Sequence, residues 1–162
     1  MGTKIKEIRS QIQNSGFTLI ELLVVISIIA ILATLLIANM NAIRGRARDA
    51  ARKSDLRNIQ TALRLYYNDY GMYPGDYEYK INGCGIGGLR TCEWGGSFAS
   101  DKNTYMSILP ADPSPDRSYT YDRNNTANDL YTLSACLENV SDDRCAGVCS
   151  GGIDGCTYLV QP

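Results

Sequence analysis

The sequence predicts an α+β fold: one long N-terminal helix, apolar enough to span a membrane in its lower half, packed in its upper half against a small antiparallel β-sheet head. Three observations predict it. Residues 17–38 form an apolar run in which Glu21 is the only charge. Leu56, Ile59, Leu63, Tyr66 and Tyr70 then recur at 3-4-3-4 spacing, which lines one face of a helix. RSYTYDR (117–123) and DLYTLSA (129–135) alternate in polarity around NNTAN, the pattern of an antiparallel hairpin.

The apolar run comes first. Between Leu22 and Ala38 only Ser27 and Thr34 are polar, and with Phe17 to Ile20 the stretch is long enough to cross a bilayer. A secretory signal has a shorter apolar core followed by an A-x-A cleavage site, and no A-x-A spacing occurs between residues 30 and 51. Instead, the cationic stretch MGTKIKEIRSQIQNSG ends at Gly16, before the apolar run. A peptidase cutting after Gly16 would remove that leader and retain the hydrophobic helix.

SGFTLIELLVVISIIAIL resembles the signal of type IV prepilins and of the pseudopilins of type II secretion. In that family a glycine precedes the cut, a phenylalanine becomes the new N-terminus and a glutamate stands fifth. Gly16, Phe17 and Glu21 fill those places. The resemblance covers residues 14–37 most strongly and extends to YGMYP, near residue 74. Beyond that it rests on LPADP (109–113) and LYTLSA (130–135), which are similar to the major pseudopilin. It implies cleavage between Gly16 and Phe17 by a prepilin peptidase, N-methylation of Phe17, and residence in the bacterial cytoplasmic membrane as a single-pass protein with an extracytoplasmic head. Assembly into a periplasmic or cell-surface filament of identical subunits would follow, with an inner-membrane assembly platform and minor pilins or pseudopilins as partners. Family helices often carry glycine and proline where this chain has Ala30 and Ala38, both good helix formers.

Glu21 is the residue that needs a physical reason. A glutamate near the bilayer centre costs about 2.5–3.5 kcal/mol on insertion scales, and less near an interface. Cleavage would place an ammonium on Phe17, one helical turn away. In a filament of axially staggered subunits, Glu21 of one chain reaches Phe17 of the next, neutralising both charges. The plainer reading is an interfacial acid that suits a helix N-terminus.

From residue 41 the helix becomes amphipathic. Residues 40–65 carry seven bases against two acids, whereas residues 66–162 carry six bases against thirteen acids. An acidic head makes nucleic acid an unlikely partner through that surface. The basic neck opposes the positive-inside rule, and the leader and cysteines outweigh it in setting the topology. For any single neck arginine, the expected setting is a solvated helix face. A helix from about Phe17 to Tyr70 would be roughly 80 Å long, with Gly71 as its C′ residue and Pro74 barring continuation. The chain therefore divides into a leader (1–16), a hydrophobic helix (17–40), an amphipathic continuation (41–72) and a head (73–162).

In the head, residues 75–116 read as loop-rich, with LPADPSPD as a rigid connection, and TYLV (157–160) as a further strand. Cys84, Cys92, Cys136, Cys145, Cys149 and Cys156 are even in number, and their spacings are not those of paired zinc knuckles. Disulfides in an oxidising compartment are expected. Cys84 and Cys92 can close a small loop; the other four allow three pairings. In the major pseudopilins a nearby loop binds calcium through aspartates, and Asp142 and Asp143 are the closest counterparts, although CLEN (136–139) replaces the family's turn.

Enzymatic function is not expected. The chain has no histidine and no nucleophile or metalloprotease motif. Two classes of function remain: a structural filament subunit, either the major pseudopilin of type II secretion or a pilin for adhesion, motility or DNA uptake, and a monomeric membrane-anchored ectodomain that binds a ligand. A monomeric anchor has no need of Gly16 or Glu21.

Overall fold

The computed structural model describes residues 16–123, 129–149 and 155–162. The leader upstream of Gly16 and the NNTAN turn lie outside the described residues. Among the described residues one α-helix, α1 (Leu19–Tyr70), is followed by eight short strands and one 3-10 turn, Ile86–Gly88, an α+β architecture. The chain forms two compact units, Met1–Met40 and Asn41–Pro162.

In the first unit, Leu19–Ile37 is long and apolar enough to cross a membrane, and none of it is buried within the chain. Its two internal hydroxyls turn back onto their own helix. Ser27 Oγ donates to the Leu23 carbonyl and Thr34 Oγ1 to the Ile31 carbonyl, each at 2.7 Å. Neither leaves a polar group unsatisfied in hydrocarbon.

In the second unit, Leu56, Ile59, Ala62, Leu63 and Tyr66 of α1 are buried, as their spacing requires. Burial of each Leu or Ile contributes about 1.5–3 kcal/mol. The helix stops at Gly71, whose φ of +70° suits glycine, and Gly71 N–H closes the last turn on the Tyr67 carbonyl at 2.8 Å.

The strands form three small antiparallel sheets. β1 (Gly75–Tyr77), β2 (Lys80–Cys84) and β3 (Arg90–Thr91) make the first, and β4 (Phe98–Ala99) with β5 (Thr104–Met106) the second. The region read as loop-rich thus contains five strands, each two to five residues long. Runs that short, interrupted by glycine, carry no alternation to detect. The third sheet is the expected hairpin with its extra strand: β6 (Thr120–Arg123), β7 (Tyr131–Leu137) and β8 (Cys156–Val160) in that order. Tyr131, Leu133, Ala135 and Leu137 point into the core while the residues between them are half-buried.

Tyrosines fill much of this core. Tyr66 stacks on Tyr70 and Phe98, with ring centroids 4.4 and 5.6 Å apart, and Tyr73 meets Tyr131 edge-on at 4.6 Å. Two of the buried hydroxyls find acceptors: Tyr121 donates to the Pro74 carbonyl and Tyr119 to Asp55, both at 2.7 Å.

All six cysteines are paired. Cys84–Cys92 joins β2 to the segment after β3, as expected from their spacing. The pairing that the sequence left open is Cys136–Cys149 and Cys145–Cys156. Cys136 lies in β7 and Cys156 in β8, so the loop from Glu138 to Cys149 is stapled to both neighbouring strands.

Candidate functional site

The start of α1 is built by two side chains. Thr18 is the residue before the helix and Glu21 lies in its first turn. Glu21 Oε2 accepts the Thr18 N–H at 2.9 Å and the Thr18 hydroxyl at 2.8 Å, while Thr18 Oγ1 accepts the Glu21 N–H at 3.3 Å. This is a capping box, in which two otherwise unsatisfied backbone donors are bonded reciprocally. Its T-x-x-E signature stands in the sequence at T-L-I-E, and Thr18 is the residue that the motif reading passed over. The other oxygen, Glu21 Oε1, makes no hydrogen bond among the described residues. Phe17 is 89 % exposed, so its phenyl ring is not packed against the described residues.

A second constellation ties the upper part of α1 to the head. Arg52 is fully buried, contrary to the solvated setting expected of the neck arginines. Positions 45, 49, 52, 56, 59 and 63 share one helical face, and all six are buried there. Burial therefore requires partners. Arg52 Nε and Nη2 grip Asp112 at 2.9 and 2.8 Å, Nη1 reaches Asp49 at 2.8 Å and Glu138 at 2.9 Å, and Nη2 also donates to Ser114. Arg48 forms its own fork on Glu138, at 2.7 and 2.6 Å. Asp49 accepts the backbone N–H groups of Glu138 and Asn139, both at 2.9 Å. Bidentate guanidinium–carboxylate pairs are strong and directional. With Arg48 and Arg52 beside it, the Glu138 carboxyl is held down to about 2, the Arg48 hydrogen bond being the largest cause. The cluster joins the helix to the LPADP connection through Asp112 and to the end of β7 through Glu138.

Among its described residues, the loop that the resemblance assigns to calcium does not assemble a set of ligands for that ion. Asp142 is ion-paired through Oδ2 to Lys53 Nζ, and its Oδ1 accepts the Arg144 N–H at 3.1 Å. The Lys53 pairing holds the Asp142 carboxyl below its ordinary range. Asp143 is exposed, and among the described residues no three carboxylate, thiolate or imidazole groups converge on a metal-sized site. Calcium needs six to eight oxygen ligands. Here the Lys53–Asp142 ion pair and the Cys136–Cys149 and Cys145–Cys156 disulfides supply the cross-links.

The comparisons with known proteins agree with the N-terminal geometry. The prokaryotic N-terminal methylation motif matches residues 13–37. The type II secretion system core protein G of Pseudomonas aeruginosa is 33 % identical over 127 residues, covering 76 % of this chain and 84 % of that protein. Its counterpart from Escherichia coli is 32 % identical over 107 residues, 65 % of this chain and 70 % of the relative. The type IV wide pilus major component PilA4 of Thermus thermophilus is 48 % identical over 67 residues, 41 % of this chain and 51 % of the relative. No solved structure matches the chain significantly. These relatives are structural subunits and not enzymes. Matches of this extent to the core protein G chains, together with the methylation motif, place this chain in the type IV pilin and type II secretion pseudopilin family, as a pilus or pseudopilus subunit.

Proposed function

We propose that this chain is the major pseudopilin of a type II secretion filament, cleaved by a prepilin peptidase between Gly16 and Phe17 and N-methylated on Phe17. The observation that carries the reading is the G-F-T-L-I-E sequence at the head of a fully exposed apolar helix. The secretion role is favoured over a pilus role by the extent of similarity. The core protein G relative aligns over 127 residues, too many to lie outside the head, whereas the pilin relative aligns over 67.

Processing supplies the missing half of the assembly site. Before cleavage, Phe17 N is an amide and Glu21 is satisfied by Thr18 alone. After cleavage, Phe17 carries a cation, and the open Oε1 of Glu21 is an acceptor for the amine of an adjoining subunit. The pair removes one charge of each sign from a lipid-like filament core and sets the axial stagger. Before assembly the subunit is stored in the inner membrane through Leu19–Ile37. The assembly platform and minor pseudopilins are the partners this role requires.

Intact mass of membrane-extracted protein tests the processing step. The expected species begins at methylated Phe17. A chain retaining Met1–Gly16 in cells with active prepilin peptidase overturns the reading. In the same cells Glu21→Ala should leave the membrane level unchanged and abolish filaments in electron micrographs. Normal filament numbers from that variant would favour the monomeric anchored ectodomain.

A further inference from the structure

The β1–β2 hairpin turns in two residues, Glu78 and Tyr79, between the paired Tyr77 and Lys80. Both turn residues have positive φ, 48° and 59°. A two-residue turn with both φ values positive is type I′, which strongly prefers Asn-Gly because other side chains are strained there. This turn carries instead a carboxylate and a large aromatic ring. Among the described residues they are the only non-glycine positions with positive φ. The conformation is pinned from the head side, since Tyr121 N–H donates to the Tyr79 carbonyl at 2.8 Å.

Among the described residues no side-chain hydrogen bond or salt bridge rewards Glu78. Tyr77 is 57 % and Tyr79 64 % exposed, and Glu78 lies between them on the surface. The adjacent base, Lys80, gives its ammonium to Glu93 at 2.7 Å. Strain held at an exposed tip without an internal partner points to an external one. A carboxylate between two accessible tyrosine rings has the chemistry to hold a guanidinium, by ion pairing and by stacking on the aromatic faces.

The same chain presents such guanidinium groups. Arg46, Arg57 and Arg64 are exposed on α1, and none makes a salt bridge among the described residues. Their separations of eleven and seven residues place them in one line along the helix. The basic helix segment and the acidic head are complementary in sign, and a filament subunit meets copies of itself.

We propose that the Tyr77–Glu78–Tyr79 tip is an inter-subunit contact, and that its occupant is an arginine of the Arg46–Arg57–Arg64 line on a second copy of this chain. The proposal rests on the filament role given above. Cleavage and membrane insertion depend on residues remote from this tip, so they report separately on that role.

Replacing the tip by the sequence its backbone prefers, Glu78→Asn with Tyr79→Gly, separates structure from contact. The full chain in detergent micelles should melt at a higher temperature, because the turn strain is relieved. Filaments at equal protein level should nevertheless fall by roughly tenfold or more. Glu78→Arg should cause a similar loss, with leader cleavage and membrane level unchanged. Combining it with Arg46→Glu, Arg57→Glu or Arg64→Glu should restore filaments for the arginine that makes the contact. Parental filament numbers from the Asn-Gly tip overturn the proposal. So does a Glu78→Arg defect that none of the three reversals relieves. An uncleaved or filament-free parent chain would count against the filament role itself.

Discussion

Replacing Arg52 by methionine should unlock the second compact unit from its own helix segment. The substitution keeps an unbranched side chain of similar length and removes the guanidinium. Five hydrogen bonds disappear, but their loss is unequal. Glu138 retains its fork to Arg48, and Asp49 retains two backbone N–H donors. Asp112 keeps only the Ser114 N–H, at 2.9 Å, and its side chain is wholly buried. An uncompensated buried carboxylate of this kind typically costs about 3–5 kcal/mol. For a domain of ordinary stability, about 5–15 kcal/mol, that is about a fifth or more of the total. Urea unfolding of the full chain in detergent, with disulfides intact, measures it through Trp94, the one tryptophan, which packs edge-on to buried Tyr119 with ring centroids 5.7 Å apart. At an m-value near 2 kcal/mol/M the midpoint should fall by about 2 M. Arg52→Met combined with Asp112→Leu should recover much of the loss, because an apolar replacement of both partners leaves no charge stranded. Exposed Arg57→Met serves as the control, expected within about 0.5 kcal/mol of the parent. If Arg52→Met shifts the midpoint no further than that control, the cluster contributes nothing net and the reasoning fails.

Two further predictions concern the same part of the head. The folded-state value of the Glu138 carboxyl, about 2, lies below its ordinary value of 4.5, so its contribution to stability is full above about pH 4.5 and is lost as pH falls toward 2. Unfolding midpoints between pH 6 and pH 3 should therefore decline less steeply in Glu138→Gln than in the parent, and parallel declines would refute the pairing. Calcium chelation should leave the melting temperature unchanged, whereas reduction of Cys136–Cys149 and Cys145–Cys156 should lower it. Each such cross-link contributes about 2–4 kcal/mol. Peptide mapping of the non-reduced protein should recover those two pairs, and a chelator-sensitive melt would return calcium to the loop.

Much of the N-terminal half is legible from the sequence because its determinants are local. An apolar run specifies a span by length alone, and a helix stops where a glycine adopts positive φ with a proline following. The T-L-I-E cap needs only a four-residue window. The β6–β7 hairpin is equally local, since the alternation of seven residues states which face is buried. The tertiary structure decided what depends on residues far apart in the chain. Arg52 meets Asp112 and Glu138 across separations of 60 and 86 residues, so its place on the Leu56–Ile59–Leu63 face is legible from helical spacing but the carboxylates that allow its burial are not. The cysteine pairing is likewise a matter of which strands become neighbours, and three pairings satisfy the sequence equally. Asp142 could be called a metal ligand from its loop, but the loop does not contain Lys53, whose ammonium takes the carboxylate instead. The β1–β2 turn was illegible for the opposite reason. Its local residues argue against a type I′ turn, and only the pairing of both strands and the bond from Tyr121 hold Glu78 and Tyr79 in it.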